Sequence, residues 1–410
     1  MDGHIYTPGA GHMPYELVGR EDLLTAWAVQ INDVRASGRV AALDIVLVGP
    51  RGIGKTAAMQ GMLNLAAKQQ MVTISLQAVK DQAGIVTSLI SHADQQLAER
   101  SGPWVKARQA FERVAGVGLG VAGVSASLST RPQDPPPNAT PSNLADALAA
   151  LADATSGAHG GGGVVIAVDE LQVATAADLA LVAATLHRLN VDHPSAAVMF
   201  IATGLPNVPD ALRAAGVTHP DRLFDVQPVP GHLTATQAAA AIIEPAAARG
   251  VVWQPAAVAA IVDITQGYPA HLQLFAHKTW QVAPGPTRIT LADAQQGILL
   301  GAADVERRSF GPRWDAMPPR QQEFIAALAV AGGVAPIRQL ASALGRATKD
   351  ISQLRDTLIK QGDIYSPHRG TIALATPLFG RYALDQYEPT SAASGVVLHT
   401  LAELRSGLED

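Results

Sequence analysis

The run Gly49-Pro50-Arg51-Gly52-Ile53-Gly54-Lys55-Thr56 constrains this chain more than any other. It has the spacing G-x-x-x-x-G-K-[ST]. The apolar stretch Asp44–Val48 precedes it and the helix-forming stretch Thr56–Gln69 follows. A strand, a glycine-rich turn and a helix in that order turn backbone N–H groups inward around a phosphate, with the positive end of the helix behind them. Lys55 then reaches the β- and γ-phosphates, and the Thr56 hydroxyl becomes a Mg²⁺ ligand. The competing reading is an ordinary glycine-rich strand-to-helix turn. Lys55-Thr56 directly after the last glycine argues against it.

The rhythm of the first 230 residues agrees. Short runs rich in Val, Ile and Leu recur at Asp44–Val48, Val72–Leu76, Val164–Val168, Ala197–Ala202 and Leu223–Val226. Helical segments such as Ala176–Leu189 lie between them. Apolar runs without polar alternation suit parallel strands buried on both faces. The expected fold class is therefore α/β, a P-loop NTPase parallel sheet with helices on both faces. Val164–Val168 ends in Asp169-Glu170, and ligands of open α/β sheets bind at that strand edge. Asp169 is the candidate second holder of Mg²⁺, and Glu170 the group that orients and deprotonates water. Alone, an apolar strand ending in two carboxylates reads equally well as a solvated turn.

Composition excludes several classes. Of 410 residues 48% are hydrophobic and 16% charged, which is too apolar for extended disorder. The net charge of −5 provides no overall basic field. With no cysteine, disulfides, thiol nucleophiles and cysteine-held zinc are impossible. Residues 1–16 lack a signal-peptide pattern, and Val114–Leu128 contains four glycines and two serines. That stretch falls short of the roughly 18 apolar residues of a membrane span. A cytoplasmic protein with no membrane partner is expected. The glycine-rich Ala115–Thr130 stretch reads as a small hairpin or as a glycine-softened helix. Proline-rich 131–143 fits neither a helix nor a central strand.

Five further segments carry a family resemblance. Val18-Gly19-Arg20-Glu21 is similar to the adenine-flanking segment of AAA+ ATPases, closest to their origin-recognition-like and STAND (archaeal-type ATPase) branches. Asp169-Glu170-Leu171-Gln172 resembles their Walker B end. Thr203, after Ala197–Ala202, is similar to the polar tip of their sensor-1 strand. Asp221-Arg222-Leu223-Phe224 resembles the segment whose arginine completes a neighbouring subunit's site. Gly267-Tyr268-Pro269 is similar to the glycine-x-proline turn of the lid. The resemblance implies ATP or ADP as ligand, Mg²⁺ as cofactor and ATP hydrolysis. Without an arginine after the lid glycine, the lid is left to read the nucleotide through Pro269 or His271, or only weakly. The resemblance covers about Val18 to Tyr382. One departure stands out: no arginine follows Gly267 within the turn, which tilts the reading toward a slow switch. Thr203 also reads as a turn hydroxyl, and Arg222 as a surface arginine beside Asp221 and Asp225.

Beyond residue 230 the pattern turns helical, with capping-box spacing at Thr234/Gln237 and helix-start spacing at Thr290/Asp293. Gln321–Val330, Pro336–Leu344 and Thr348–Gln361 read as three helices with helix-turn-helix spacing. Asp363–Ser366 and Thr371–Ala375 read as the hairpin of a winged-helix domain. From Val305 to Arg381, eleven Lys and Arg face six Asp and Glu, a local charge of +5. Such an excess suits double-stranded DNA, with Lys349, Arg355 and Arg369 as candidate contacts. The same domain type also serves as a protein-binding module.

The expected organisation is an AAA+ core over residues 1–230, a helical lid over 231–300, a winged-helix domain over 301–390 and a tail over 391–410. The expected function is a DNA-associated, Mg²⁺-dependent ATPase switch, with a second copy of the chain (a homo-oligomer) as a further candidate partner. The alternative is a STAND-like signalling ATPase that holds a protein partner instead of DNA.

Overall fold

The computed structural model describes residues 5–9, 11–116, 134–155, 162–283 and 287–387. The expectations placed on residues 117–133 and 391–410 lie outside this range. By contact density the chain divides into two units. One comprises Arg20–Val48 and Lys55–Val229, the other Met1–Gly19, Gly49–Gly54 and Pro230–Asp410. No helix among the described residues is long and apolar enough to cross a membrane.

The first unit is a five-stranded, all-parallel sheet with helices on its faces. Its elements run α1 (Glu21–Ser37), β1 (Asp44–Val48), α2 (Lys55–Lys68), β2 (Val72–Gln77), α3 (Ile85–Leu97), α4 (Trp104–Ala115), α5 (Pro141–Thr155), β3 (Val164–Asp169), α6 (Ala176–Asp192), β4 (Val198–Gly204), α7 (Val208–Ala214) and β5 (Phe224–Pro228). The strand order is β2-β3-β4-β1-β5. Central strands β1, β3 and β4 are buried at every residue, as their unbroken apolar runs require. β2 departs from that expectation: Ser75 and Gln77 are exposed while Ile74 and Leu76 are buried. The reason is position, since β2 is an edge strand.

Helix α2 packs on β1 to β4 with α1 beside it. Helices α3 to α6 build the large core that includes Val46, Ile166 and Phe200. Asp44 opens β1 fully inside the sheet, accepting a 2.8 Å hydrogen bond from the Phe200 N–H. Burial raises its pKa to about 7, although that hydrogen bond pulls the other way. Parallel register sets Val48 beside Gly204 and Val168 beside Ala202. The C-terminal ends of β1, β3 and β4 therefore share one edge.

The second unit begins with the segment around Tyr6, whose hydroxyl donates to the Ile242 carbonyl at 2.6 Å and accepts from Trp253 Nε1 at 2.9 Å. It continues through α8 (Ala235–Ala247), β6 (Val252–Trp253), α9 (Pro255–Thr265), α10 (Pro269–Val282), β7 (Arg288–Ile289) and α11 (Leu291–Val305). Full capping boxes start α8 at Thr234/Gln237 and α11 at Thr290/Asp293. Each satisfies two backbone N–H groups that a helix start would otherwise leave exposed. The C-terminal part holds α12 (Gly311–Asp315), α13 (Pro319–Val330), β8 (Val334–Pro336), α14 (Ile337–Ala343), α15 (Thr348–Gln361), β9 (Ile364–Tyr365), β10 (Thr371–Leu374) and α16 (Pro377–Gln386). The sheet order β8-β10-β9 is antiparallel. In α15, Ile351 and Leu358 are buried, while Leu354 and Ile359 are half-buried against the same core.

Candidate phosphate-binding site

Lys55 is the first residue of α2 and is buried. Next to it, the Thr56 hydroxyl donates to Asp169 Oδ2 at 2.8 Å. Strand register brings β4 beside β3, so the buried Thr203 hydroxyl donates to Asp169 Oδ1. The Glu170 N–H is shared between Asp169 Oδ1 at 3.1 Å and Thr203 Oγ1 at 3.3 Å. Lys55, Thr56, Asp169, Glu170 and Thr203 thus gather at one sheet edge, although the last lies 147 positions after Thr56 in the chain.

A hydroxyl and a carboxylate already in contact form a hard oxygen pair. Mg²⁺ takes such donors together with water and substrate phosphates, so Thr56 and Asp169 fit that ion. Glu170 itself sits in the left-handed region, with φ 58° and ψ 42°. Its Oε2 accepts from Gln172 Nε2 at 2.5 Å. The Gln172 Oε1 in turn accepts from the Leu205 N–H at 3.0 Å. Gln172 stood within the run that carried the resemblance, but no residue type or spacing assigned it a role.

Within the second unit, residues 49–54 pack against the start of α10. The Tyr268 hydroxyl donates to the Arg51 carbonyl at 2.7 Å, and the Ala270 N–H donates to the Gly52 carbonyl at 3.1 Å. Gly52 has φ +74°, and a Cβ there would stand 2.1 Å from the Tyr268 hydroxyl. Gly54 also has positive φ, at +89°. Pro269 occupies the first turn of α10, where its missing N–H costs nothing. Val18 is half-buried, and Gly19 lies against Leu233 and Gln237 at the start of α8. Arg20, in the sheet unit, is buried, and burial pulls its guanidinium below the ordinary value while Glu21 opposes this.

His271, offered by the sequence as a reader of the nucleotide, is buried in α10. Its ring makes an edge contact with Tyr268 at 4.7 Å and stacks on Phe275 at 5.9 Å. Burial lowers its pKa to about 4, so the ring is neutral at physiological pH. Arg222 lies exposed in a short turn before β5, and Asp225 accepts from Gln227 rather than from it. Lys349 and Arg369 are exposed, whereas Arg355 pairs with Asp356 at 2.6 Å.

Strand order, loop position and the Asp169 cluster together define a P-loop NTPase fold. The AAA ATPase domain family matches residues 16–201. A domain of unknown function matches residues 307–383. The fold is similar to a Walker-type ATPase of Pyrococcus abyssi, with a TM-score of 0.57 and 14% identity over 90% of this chain and 97% of that one. It is also similar to the ORC2 protein of Aeropyrum pernix, solved in ADPNP and ADP complexes. There the TM-score is 0.55 at 15% identity, over 97% of this chain and 98% of that one. No curated protein matches the chain in sequence.

Proposed function

We propose that the chain binds ATP and hydrolyses it with Mg²⁺, as a nucleotide-driven switch associated with double-stranded DNA. The observation that carries this reading is the convergence of Thr56, Asp169 and Thr203 beside Lys55 at one sheet edge. In the proposed reaction, residues 49–54 present backbone N–H groups to the phosphates and Lys55 places its charge on the β- and γ-phosphates. Thr56 and Asp169 hold Mg²⁺, which when bound offsets the charge that develops on the phosphate oxygens. Glu170 takes a proton from the attacking water, and the Thr203 hydroxyl orients toward the γ-phosphate. Val18, Gly19 and Arg20 flank the adenine. Tyr268 and Pro269 let the lid follow the state of the loop.

In this reading the chain comprises an AAA+ core to residue 230, a lid to 300, a winged-helix domain to 390 and a tail. The three helices and the antiparallel sheet of 319–374 support a winged helix. The local charge of +5 and the exposed Lys349 and Arg369 favour DNA over a protein partner.

The testing experiment measures ATP affinity and turnover side by side. Lys55→Ala should abolish tight ATP binding, because the phosphates lose their cation. Glu170→Gln should bind ATP as wild type does and turn it over at least about 100-fold more slowly. Wild-type turnover by Glu170→Gln would refute Glu170 as the base.

A further inference from the structure

The tip of β4 touches Glu170 by two routes. Thr203 Oγ1 accepts the Glu170 N–H, and two residues later the Leu205 N–H reaches the Gln172 amide whose other end holds the Glu170 carboxylate. The direction of this relay is fixed by chemistry. A backbone N–H can only donate, so the Gln172 oxygen faces Leu205. Its NH₂ group therefore faces Glu170, which as a carboxylate can only accept. The backbone at Gly204 approaches so closely that a Cβ there would lie 2.8 Å from Gln172 Oε1. A single 3₁₀ turn, Leu171–Val173, holds Gln172 in place, closed by the Val173 N–H donating to the Glu170 carbonyl at 2.8 Å. Glu170 precedes it in the left-handed conformation, which a non-glycine residue keeps only where its surroundings over-determine it.

We propose that Gln172 is a positioning residue for hydrolysis, fixing one oxygen of the Glu170 carboxylate and tying it to the backbone that leaves β4. The proposal rests on the reading of Glu170 as the group that deprotonates water. Gln172 occupies Oε2 and leaves Oε1 to the water. It also makes the carboxylate's position depend on Thr203–Leu205, the segment that would meet the γ-phosphate. Rotation of Glu170 away from the water is restrained at both ends, through its own N–H and through the amide.

The test uses the full-length protein with Mg²⁺ and ATP, and compares Gln172→Glu, Gln172→Met and Glu170→Gln. Gln172→Glu keeps an acceptor for the Leu205 N–H but removes the donor to Glu170 and sets a second carboxylate against it. Both Gln172 variants should lose about tenfold or more in kcat, with KM and the Kd for a fluorescent ATP analogue within about twofold of wild type. Adding Gln172→Met to Glu170→Gln should cost nothing further, because the amide acts through that carboxylate.

Wild-type kcat in Gln172→Glu alongside a loss in Gln172→Met would overturn the proposal, since anchoring Leu205 would then be the whole role. Additive losses in the double variant would overturn it too. If Gln172→Met does not fold, the near-isosteric Gln172→Glu still decides the matter by its kcat. Failure of the underlying reading looks different: Glu170→Gln would itself turn over at the wild-type rate.

Discussion

The Tyr268 hydroxyl donates a 2.7 Å hydrogen bond to the carbonyl of Arg51, the third residue of the phosphate loop. Burial raises the tyrosine's pKa, so the hydroxyl keeps its proton and stays a donor. Gly52, directly after Arg51, has no Cβ to push it away. The bond joins the loop to the start of α10 within one unit, 217 positions apart in sequence. A buried hydrogen bond of this kind is worth about 1 kcal/mol net. Tyr268→Phe should therefore weaken ATP binding about fivefold in a fluorescence titration. Unchanged affinity would mean that the clasp does not shape the loop. Gly52→Ala should do more damage, since its Cβ collides with the hydroxyl and positive φ strains it.

Two buried titratable groups predict opposite pH dependences. Asp44 has its folded pKa raised from 3.8 to about 7. Its contribution to stability is present below its ordinary value and is lost as pH rises through about 7. His271 has its folded pKa lowered from 6.5 to about 4. Its contribution is present above the ordinary value and is lost as pH falls toward 4. Thermal unfolding should show Asp44→Asn gaining a few degrees over wild type at about pH 8 and nothing near pH 4. His271→Phe should gain more at about pH 5 than at pH 8, relative to wild type. A gain that does not vary with pH would contradict the assignment of either group.

DNA binding should follow the exposed cations. Lys349→Ala and Arg369→Ala should each weaken duplex binding similarly across sequences and flatten the slope of log K against log salt by about one unit. Arg355→Ala should change the slope less, because Asp356 already neutralises that charge locally. ATP turnover without DNA should be unaffected in all three. A full-length protein that binds no duplex even at low salt would favour a protein partner instead.

Arg222 separates self-assembly from a monomeric mechanism. If it reaches a second copy's site, turnover per chain rises with protein concentration. Mixing Arg222→Ala with Glu170→Gln would then restore part of the activity, since one interface in the mixture keeps both groups. Flat concentration dependence and no recovery would leave Arg222 a surface residue, consistent with its exposure.

Elements with a strong local pattern fell close to where the sequence placed them. Asp44–Val48 and Thr348–Gln361 are a strand and a helix over the expected residues, and the Thr234/Gln237 capping box is complete. Each is specified by neighbours within a few residues: an unbroken apolar run, a 3.6-residue stripe, a cap three positions from its partner. Strands β6, β7 and β8 were not legible, nor was the anchoring of Tyr6. Two- or three-residue strands have no periodicity of their own and exist only because a partner strand lies alongside.

The site divides along the same line. The sequence by itself determined the phosphate loop, because its glycines, Lys55 and Thr56 all lie within eight consecutive residues. It also marked Asp169 and Glu170 as a pair at a strand end. Only the tertiary structure decided what surrounds them. Thr203 meets Asp169 because β4 lies beside β3 in a particular register. Gln172 holds Glu170 because a single turn aims its amide between that carboxylate and Leu205. Tyr268, not an arginine, reaches the loop, while His271 turns into an aromatic cluster. Hydrogen bonds between distant residues depend on strand order and helix packing, which local pattern alone does not encode.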